Sequence, residues 1–373
     1  MIGIIGATGF TGKLVASELK NRKAEFFLAG RNEQSLRTLS ESLGGVPFRV
    51  IDVQDSSTFN ALDGCKIIIN CAGPFTDFGE PIVQQAIARR AHYLDTTGEQ
   101  GFIKLVYDKY HEQAKAAGIV LVPACAYEFA IGDAMGAQLC SDFPQCRAID
   151  FIYCLNEMHT SPGTRKSIVR ALSAAGFFLK DGQLVASTNA ISRKTQIDER
   201  AVSIVSFPAG EAVMLSRHTN VQNVSSYFTA GAPPIVLKVA AAICQLITKL
   251  AGDLIVNKIT AAVPSIAQRQ STTFLIQANT KIEMSSPSIT VKGNDPYLLT
   301  AIIICGAVDH LLANPPSQYG AITPAMIGGA ALIRGSLRID VRRAQAGVSI
   351  VQRCDASIVE SEKSAYELSF QKS

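Results

Sequence analysis

Charge is scarce in this sequence: Asp, Glu, Lys and Arg make up 18% of its 373 residues, and the formal net charge is only +4. There is no long basic block, so the electrostatic footprint of a nucleic-acid binder is missing and no nucleic acid is expected as a partner. Histidine is equally thin. His92, His111, His159, His218 and His310 are scattered, with no pair at the spacing of a helical metal site, which argues against a bound metal. The nine cysteines contain no CxxC pair, and an apolar strand starts at residue 2, with no room for a signal peptide before it. Free thiols in a reducing compartment, and so a cytoplasmic location, are the expectation. Internal repeats and low-complexity stretches are also missing. What the chain has in quantity is apolar residues, 47% of the total, enough over this length for two cores.

The apolar run Ile2 to Ile5 feeds directly into Gly6-Ala7-Thr8-Gly9-Phe10-Thr11-Gly12, and Lys13 to Asn21 follows with Leu14, Val15 and Leu19 at helical spacing. A strand, a glycine turn and a helix in this order leave the N–H groups of the first helical turn unpaired, and a pyrophosphate satisfies them. Gly6 permits the sharp turn, Gly9 lets a ligand approach the backbone, and Gly12 lets the helix pack closely on the strand. The spacing is GxxGxxG. A second apolar run, Phe26 to Ala29, ends in Gly30-Arg31-Asn32, where an NAD enzyme carries an acidic residue for the ribose hydroxyls. A guanidinium binds a 2′-phosphate bidentately and a carboxylate repels it, so Arg31 points to NADP.

The same rhythm continues. Glu33 to Leu43 reads as a helix closed by Gly44-Gly45, Pro47 to Val53 as a strand, Ser56 to Leu62 as a short helix and Lys66 to Asn70 as a strand stopping at Cys71-Ala72-Gly73-Pro74. A helix over Glu80 to Arg90, a strand at His92 to Leu94, a helix from Gly101 to Ala117 and a strand at Ile119 to Val122 complete the series. Nearly all-apolar strands alternating with helices describe a doubly wound parallel sheet, whose ligands sit at the carboxyl ends of the strands. Those ends include Asp52, the Cys71 to Pro74 turn, Asp95 to Glu99 and Pro123 to Tyr127.

Past Glu128 the rhythm changes. Phe129 to Cys140 and about Arg165 to Phe178 read as helices, while Ala148 to Leu155, Val202 to Phe207 and Phe274 to Ala278 read as strands without matching helices between them. A second, α+β domain with a mixed or antiparallel sheet is expected. The stretch 234–259 is rich in Ile, Leu, Val and Ala but is interrupted by Lys238, Gln245, Lys249 and Asp253. The charges argue against a spanning helix and leave an amphipathic one, suited to a core, a subunit interface or peripheral membrane contact.

Several motifs in order resemble one family. GATGFTG at Gly6 to Gly12, LAGR at Leu28 to Arg31, NCAGPF at Asn70 to Phe75, GEPIV at Gly79 to Val83 and YLDTTGE at Tyr93 to Glu99 are similar to the saccharopine dehydrogenase-like oxidoreductases, which include trans-acting enoyl reductases. GNDPYLLTA at Gly293 to Ala301 and GAITPA at Gly320 to Ala325 extend the resemblance. It implies a Rossmann domain over 1–128, an inserted α+β substrate and dimerisation domain over 129–300, and a helical segment over 301–373 that packs back on the first. It also implies that NADP (as NADPH) is held by Gly6, Thr8, Gly9, Phe10, Thr11, Gly12, Arg31, Asp52, Ala72, Gly73 and Pro74. One segment departs from the family pattern. Where enoyl reductase-like members carry a CGFDSIPSD-like sequence, this chain has Cys125-Ala126-Tyr127-Glu128-Phe129-Ala130-Ile131-Gly132-Asp133, keeping the final Asp133 but neither the serine nor the proline.

Hydride transfer asks the protein to orient a cofactor and substrate and to handle one proton. Glu99 and Tyr127 are the candidates for that proton. Cys125 sits nearby as a weak nucleophile candidate, since no histidine partner can be identified for it. Three functions remain in view. The first is NADP-dependent hydride transfer to or from a C=C, C=N or C=O bond of a hydrophobic small molecule, favoured by the apolar 234–259 stretch. The second is a saccharopine-type amino-acid dehydrogenase, which calls for convergent arginines among Arg165, Arg170, Arg193, Arg200 and Arg217. The third is a non-catalytic NADP-binding scaffold attached to a membrane or partner. A homodimer is expected because two-fold dimers are the commonest assembly.

Overall fold

The computed structural model describes residues 1–157, 159–165, 176–187, 191–197, 200–229, 263–282, 287–328, 340–345 and 348–353. Its first sheet is built from β1 (Ile2–Ile5), β2 (Phe26–Gly30), β3 (Phe48–Val50), β4 (Ile67–Asn70), β5 (His92–Asp95) and β6 (Val120–Val122). All of its pairings are parallel. Alternate residues of β1, β2 and β4 enter two separate cores, one holding Ile4, Leu28 and Ile69 and the other Ile5, Phe27 and Ile68. Burial on both faces is why these strands read as continuous apolar runs instead of alternating ones.

The helices α1 (Phe10–Asn21), α2 (Glu33–Ser42), α3 (Phe75–Ala88) and α4 (Gln100–Ala117) connect the strands. Strand order runs β3-β2-β1-β4-β5-β6, so the direction of winding reverses between β1 and β4. Crossovers leave to opposite faces there, and a crevice opens between the two strand ends.

After α5 (Tyr127–Asp142) the chain builds a second sheet. It comprises β7 (Ala148–Leu155), β8 (Gly176–Lys180), β9 (Gln183–Ser187), β10 (Ser192–Ile197), β11 (Arg200–Ser206), β12 (Asn223–Thr229), β13 (Thr273–Thr280) and β14 (Ser288–Asn294). The β12–β7 pair is parallel and the rest are antiparallel, making a mixed sheet. Two short helices, α6 (Glu211–Leu215) and α7 (Ile266–Ser271), lie between its strands in sequence.

The later chain returns to the first sheet. In α8 (Pro296–Ala313) the Asp295 carboxylate accepts from Leu298 N at 3.1 Å and caps a helix whose first residue, Pro296, lacks an N–H to lose. This helix is long and apolar enough to cross a membrane, but most of it is buried inside the protein. It packs along α1, with Arg22 paired to Asp309 at 2.6 Å and the Cys305 thiol donating to Val15 O at 3.8 Å. The strand β15 (Gly320–Ala321) then adds to β6 in parallel, and α9 (Pro324–Gly328) follows.

Three expectations need correction. The third helix begins at Phe75, five residues before Glu80, because the Glu99 carboxylate satisfies the N–H groups of Phe75 and Thr76 at 3.0 and 2.8 Å. Pro81 is tolerated inside it at the cost of one backbone bond. The expected helix over Arg165 to Phe178 has its middle outside the described residues, and its end is strand instead. Asp181 and Gly182 both have positive φ, 49° and 76°, which makes the tight turn of the β8–β9 hairpin. The segment 301–373 is not helical throughout, since β16 (Asp340–Gln345) and β17 (Val348–Arg353) extend the second sheet from β14. The apolar stretch 234–259 lies outside the described residues.

Candidate functional site

A cavity of about 1090 Å³ opens at the β1–β4 crevice and runs on to the second sheet. Its first end is made of backbone and small residues: Gly6, Thr8, Gly9, Phe10 and Thr11 from the glycine turn, and Ala72, Gly73 and Pro74 from the turn after β4. Arg31 and Asp52 line the same end, so ten of the eleven sequence-nominated cofactor contacts meet in one space. Gly12 does not line it. It lies beneath, where a Cβ would sit 2.2 Å from Gly6 O and 2.8 Å from Ala7 Cα, so glycine here is what lets α1 close on its own turn. Gly6 has φ +75° and its absent Cβ would meet Ala72 N at 2.8 Å, which brings the β1 and β4 turns together.

The residues present fit a dinucleotide. No side chain caps α1 and its first turn contains no acid, so no side chain competes with an anion for the N–H groups of that turn, and Phe10 and Thr11 of it line the cavity. Arg31 is exposed and has no ion-pair partner among the described residues. The next residue, Asn32, accepts from Ser35 N at 2.8 Å and caps α2, which fixes the turn that presents Arg31. Asp52 Oδ1 accepts from Gln54 N at 3.0 Å, and Asn70 Oδ1 accepts from Ala72 N at 3.0 Å, holding the turns after β3 and β4 in shape.

At the end of β5, Asp95 is fully buried, and its Oδ1 accepts from Thr97 N and Ala124 N, each at 2.9 Å. Burial nevertheless pushes its carboxyl up to about 7.

The two proton-handling candidates separate. Glu99 is not among the cavity's lining residues. Its carboxylate is spent on Phe75 N, Thr76 N and, at 2.5 Å, the Thr76 hydroxyl, a helix-capping role. Tyr127 does line the cavity, with its N–H donating to Thr300 Oγ1 at 3.2 Å and its ring 5.1 Å from that of Phe274. Burial, then the neighbouring Glu128, holds its hydroxyl well above the usual phenol range. Burial likewise raises the Cys125 thiol, and that side chain is wholly enclosed, which disfavours a thiolate nucleophile.

The second end of the cavity was not legible in the sequence. It is walled by Leu155, Phe207, Phe228, Phe274 and Ile276, contributed from β7, β12, β13 and the chain after β11. Tyr153 also contributes; its hydroxyl shares its one proton between Glu128 O, at 3.2 Å, and the buried Glu211 carboxylate, which also accepts from Ser226 Oγ at 2.9 Å. Burial pushes Glu211 up to about 7. Glu128 itself lines the cavity beside Gly98, and burial raises its carboxyl to about 7 as well. An acid in the first turn of the helix after β6 is the one sequence signal that could have found it.

Two of the nominated arginines are committed elsewhere: Arg193 pairs with Asp150 at 2.7 Å and Arg217 with Asp108, neither lining the cavity. Arg165 follows the cavity-lining Thr164, with its Nε and one Nη buried and unpartnered among the described residues, while Arg170 and the Arg200 side chain are outside them. Asp133 is also committed, to His218 Nε2 at 2.7 Å and to Ala325 N at 2.8 Å, which ties α5 to the GAITPA segment.

Comparison with known proteins agrees with this geometry. Residues 2–122 match the family described as saccharopine dehydrogenase NADP binding domain. A trans-acting enoyl reductase of Mycobacterium leprae (strain TN) is 35% identical over 134 residues, 34% of this chain and 32% of that protein. A lipid droplet localized protein of Caenorhabditis elegans is 33% identical over 138 residues, again 34% of this chain and 32% of that protein. The matched segments thus span about a third of the length of these relatives. Apo saccharopine dehydrogenase (L-Glu forming) from Saccharomyces cerevisiae superposes on 93% of this chain and 99% of its own, with a TM-score of 0.59 at 13% identity. Residues 2–122 are therefore an NADP-binding domain of the saccharopine dehydrogenase type, carried in a chain that has the saccharopine dehydrogenase fold.

Proposed function

We propose that this protein is an NADP-dependent oxidoreductase that transfers hydride to or from a C=C, C=N or C=O bond of an apolar small molecule. The observation that carries the reading is the continuity of the cavity, from the uncapped α1 N-terminus to the wall of Phe207, Phe228 and Phe274. A dinucleotide laid on the glycine turn reaches along the strand ends towards Tyr127 and Glu128, leaving the aromatic wall for the second reactant. When bound, the cofactor supplies the hydride chemistry; the chain orients it, excludes water and manages a proton. The names of the enoyl reductase and lipid-droplet relatives favour the same apolar class. The dispersal of Arg193 and Arg217 into ion pairs elsewhere weighs against an amino-acid substrate with several carboxylates.

We also propose a cytoplasmic location and a homodimer, with 234–259 as the segment to test for membrane contact. The decisive experiment measures NADPH binding by fluorescence, then NADPH consumption with enoyl thioesters of increasing chain length. Consumption that rises with chain length supports the reading. Binding without consumption on any acceptor, together with liposome association lost on making Leu246 and Leu250 polar, would turn it to the scaffold function. Mass spectrometry of material extracted from the native protein gives an independent check, since an amino acid in the cleft would overturn the apolar assignment.

A further inference from the structure

The groups in and around the cavity that could handle a proton differ in how far they are already committed. Glu99 caps α3, Asp95 at the end of β5 is tied by Oδ1 to two backbone N–H groups, and Glu211 is bonded to the hydroxyls of Tyr153 and Ser226. Asp52 accepts from Gln54 N at the ribose end, and the cavity-lining Glu157 and His159 are paired with each other at 2.6 Å. Asp95 Oδ2 is buried without a hydrogen-bond partner among the described residues, but Asp95 does not line the cavity; Glu128 does line it, and among the described residues its carboxyl is touched only by its own backbone N–H. Its carboxyl reaches to within 3.7 Å of where a Gly98 Cβ would stand, so it faces the loop after β5. Its backbone carbonyl is held by the Tyr153 hydroxyl, which fixes the first turn of α5 that carries it.

We propose that Glu128 is the catalytic acid and base of the cavity, giving up a proton to the substrate in reduction and recovering it in oxidation. This assignment rests on the oxidoreductase reading above. In reduction, one atom of the substrate double bond gains a hydride from NADPH, which leaves as NADP⁺. The other atom gains the Glu128 proton, and the resulting carboxylate is reprotonated from solvent, so one NADPH and one proton are consumed per bond reduced. Glu128 suits both directions because burial brings its two protonation states close to balance near neutrality. The titratable groups facing it are the phenols of Tyr127, Tyr153 and Tyr297, all neutral in this range, with Glu211 one residue further back.

The test needs no known substrate. The oxidised nicotinamide ring is a cation and the reduced ring is neutral, so a carboxyl placed beside the ring should lose its proton to solvent when NADP⁺ binds and keep it when NADPH binds. Calorimetric titration of each nucleotide in buffers of different ionisation heat, near pH 7, should show a difference in proton linkage of roughly half a proton between the two. In Glu128→Gln the difference should vanish while both nucleotides still bind. Glu128→Asp should restore part of it. Equal linkage in the unmodified protein and in Glu128→Gln overturns the proposal and leaves the cofactor reading standing. A difference that survives in Glu128→Gln but disappears in His159→Gln gives the proton to His159 and also overturns it. Failure of the unmodified protein to bind either nucleotide removes the cofactor reading itself.

Discussion

The two ends of the cavity are made differently. The cofactor end is backbone: glycines, an uncapped helix terminus and two tight turns, nearly all within the first 75 residues. The far end is side chain, with aromatic rings brought together from strands as distant in sequence as β7 and β13. A surface made of N–H groups depends on φ/ψ angles and missing Cβ atoms, so few sequences can build it. A surface made of rings needs only apolar bulk on the correct face of each strand, which many sequences supply. Sequence similarity to the curated relatives reaches over about a third of this chain, whereas the fold match covers 93% of it at 13% identity. A rigid requirement at one end and a permissive one at the other account for that contrast.

The contrast can be broken at either end. The largest effect is expected from Gly12→Val, whose added atoms have nowhere to go beside Gly6 O. NADPH binding should be lost and stability should fall by about 3 kcal/mol, read by fluorescence titration and urea unfolding. Phe274→Ala comes next. Removing this buried ring should cost about 3 kcal/mol yet leave NADPH affinity within roughly twofold, and a large loss of affinity would mean that the two ends are not separable.

Arg31→Asp should leave folding unchanged and move the NADP-to-NAD preference by roughly 10- to 100-fold, as expected for losing a charge-assisted phosphate contact. Unaltered relative affinities would remove Arg31 from the cofactor site.

The smallest effect concerns pH. Asp95, Glu128 and Glu211 are each raised to about 7 from ordinary carboxyl values, so each binds its proton more tightly folded than unfolded. Their contribution to stability is therefore full at acid pH and is lost as pH rises through about 7. Glu211→Gln should flatten the fall in melting temperature between pH 5 and pH 8, and an unchanged slope would show that Glu211 is ionised in the folded protein.

Legibility in the sequence followed the same division. The doubly wound sheet could be read because β1, β2 and β4 are buried on both faces, which produces uninterrupted apolar runs. The cofactor contacts could be read because local turn chemistry places them. Glu99 misled because an acid at a strand end looks alike whether it faces a ligand or caps a neighbouring helix, and only the arrival of α3 decides between the two. The aromatic wall was invisible for a related reason. Alternation along β13 says that Phe274, Ile276 and Ala278 share a face, but not that the first of them borders a cavity and the last a packed core. The β8–β9 hairpin had its signal in Asp181-Gly182, outweighed by the helical spacing before it.

The packing of α8 on α1 also sets an order of events during synthesis. The glycine turn leaves the ribosome first, yet the helix that shields α1, the Tyr297 ring set edge-on against Phe10 at 4.8 Å and the Thr300 hydroxyl that receives Tyr127 N all come from residues made nearly three hundred positions later. A nascent chain halted before residue 296 owns every atom of its phosphate turn but lacks the cover that keeps α1 dry. Such a chain should be a client for chaperones until α8 is made, and cofactor capture should mark the close of folding instead of its beginning.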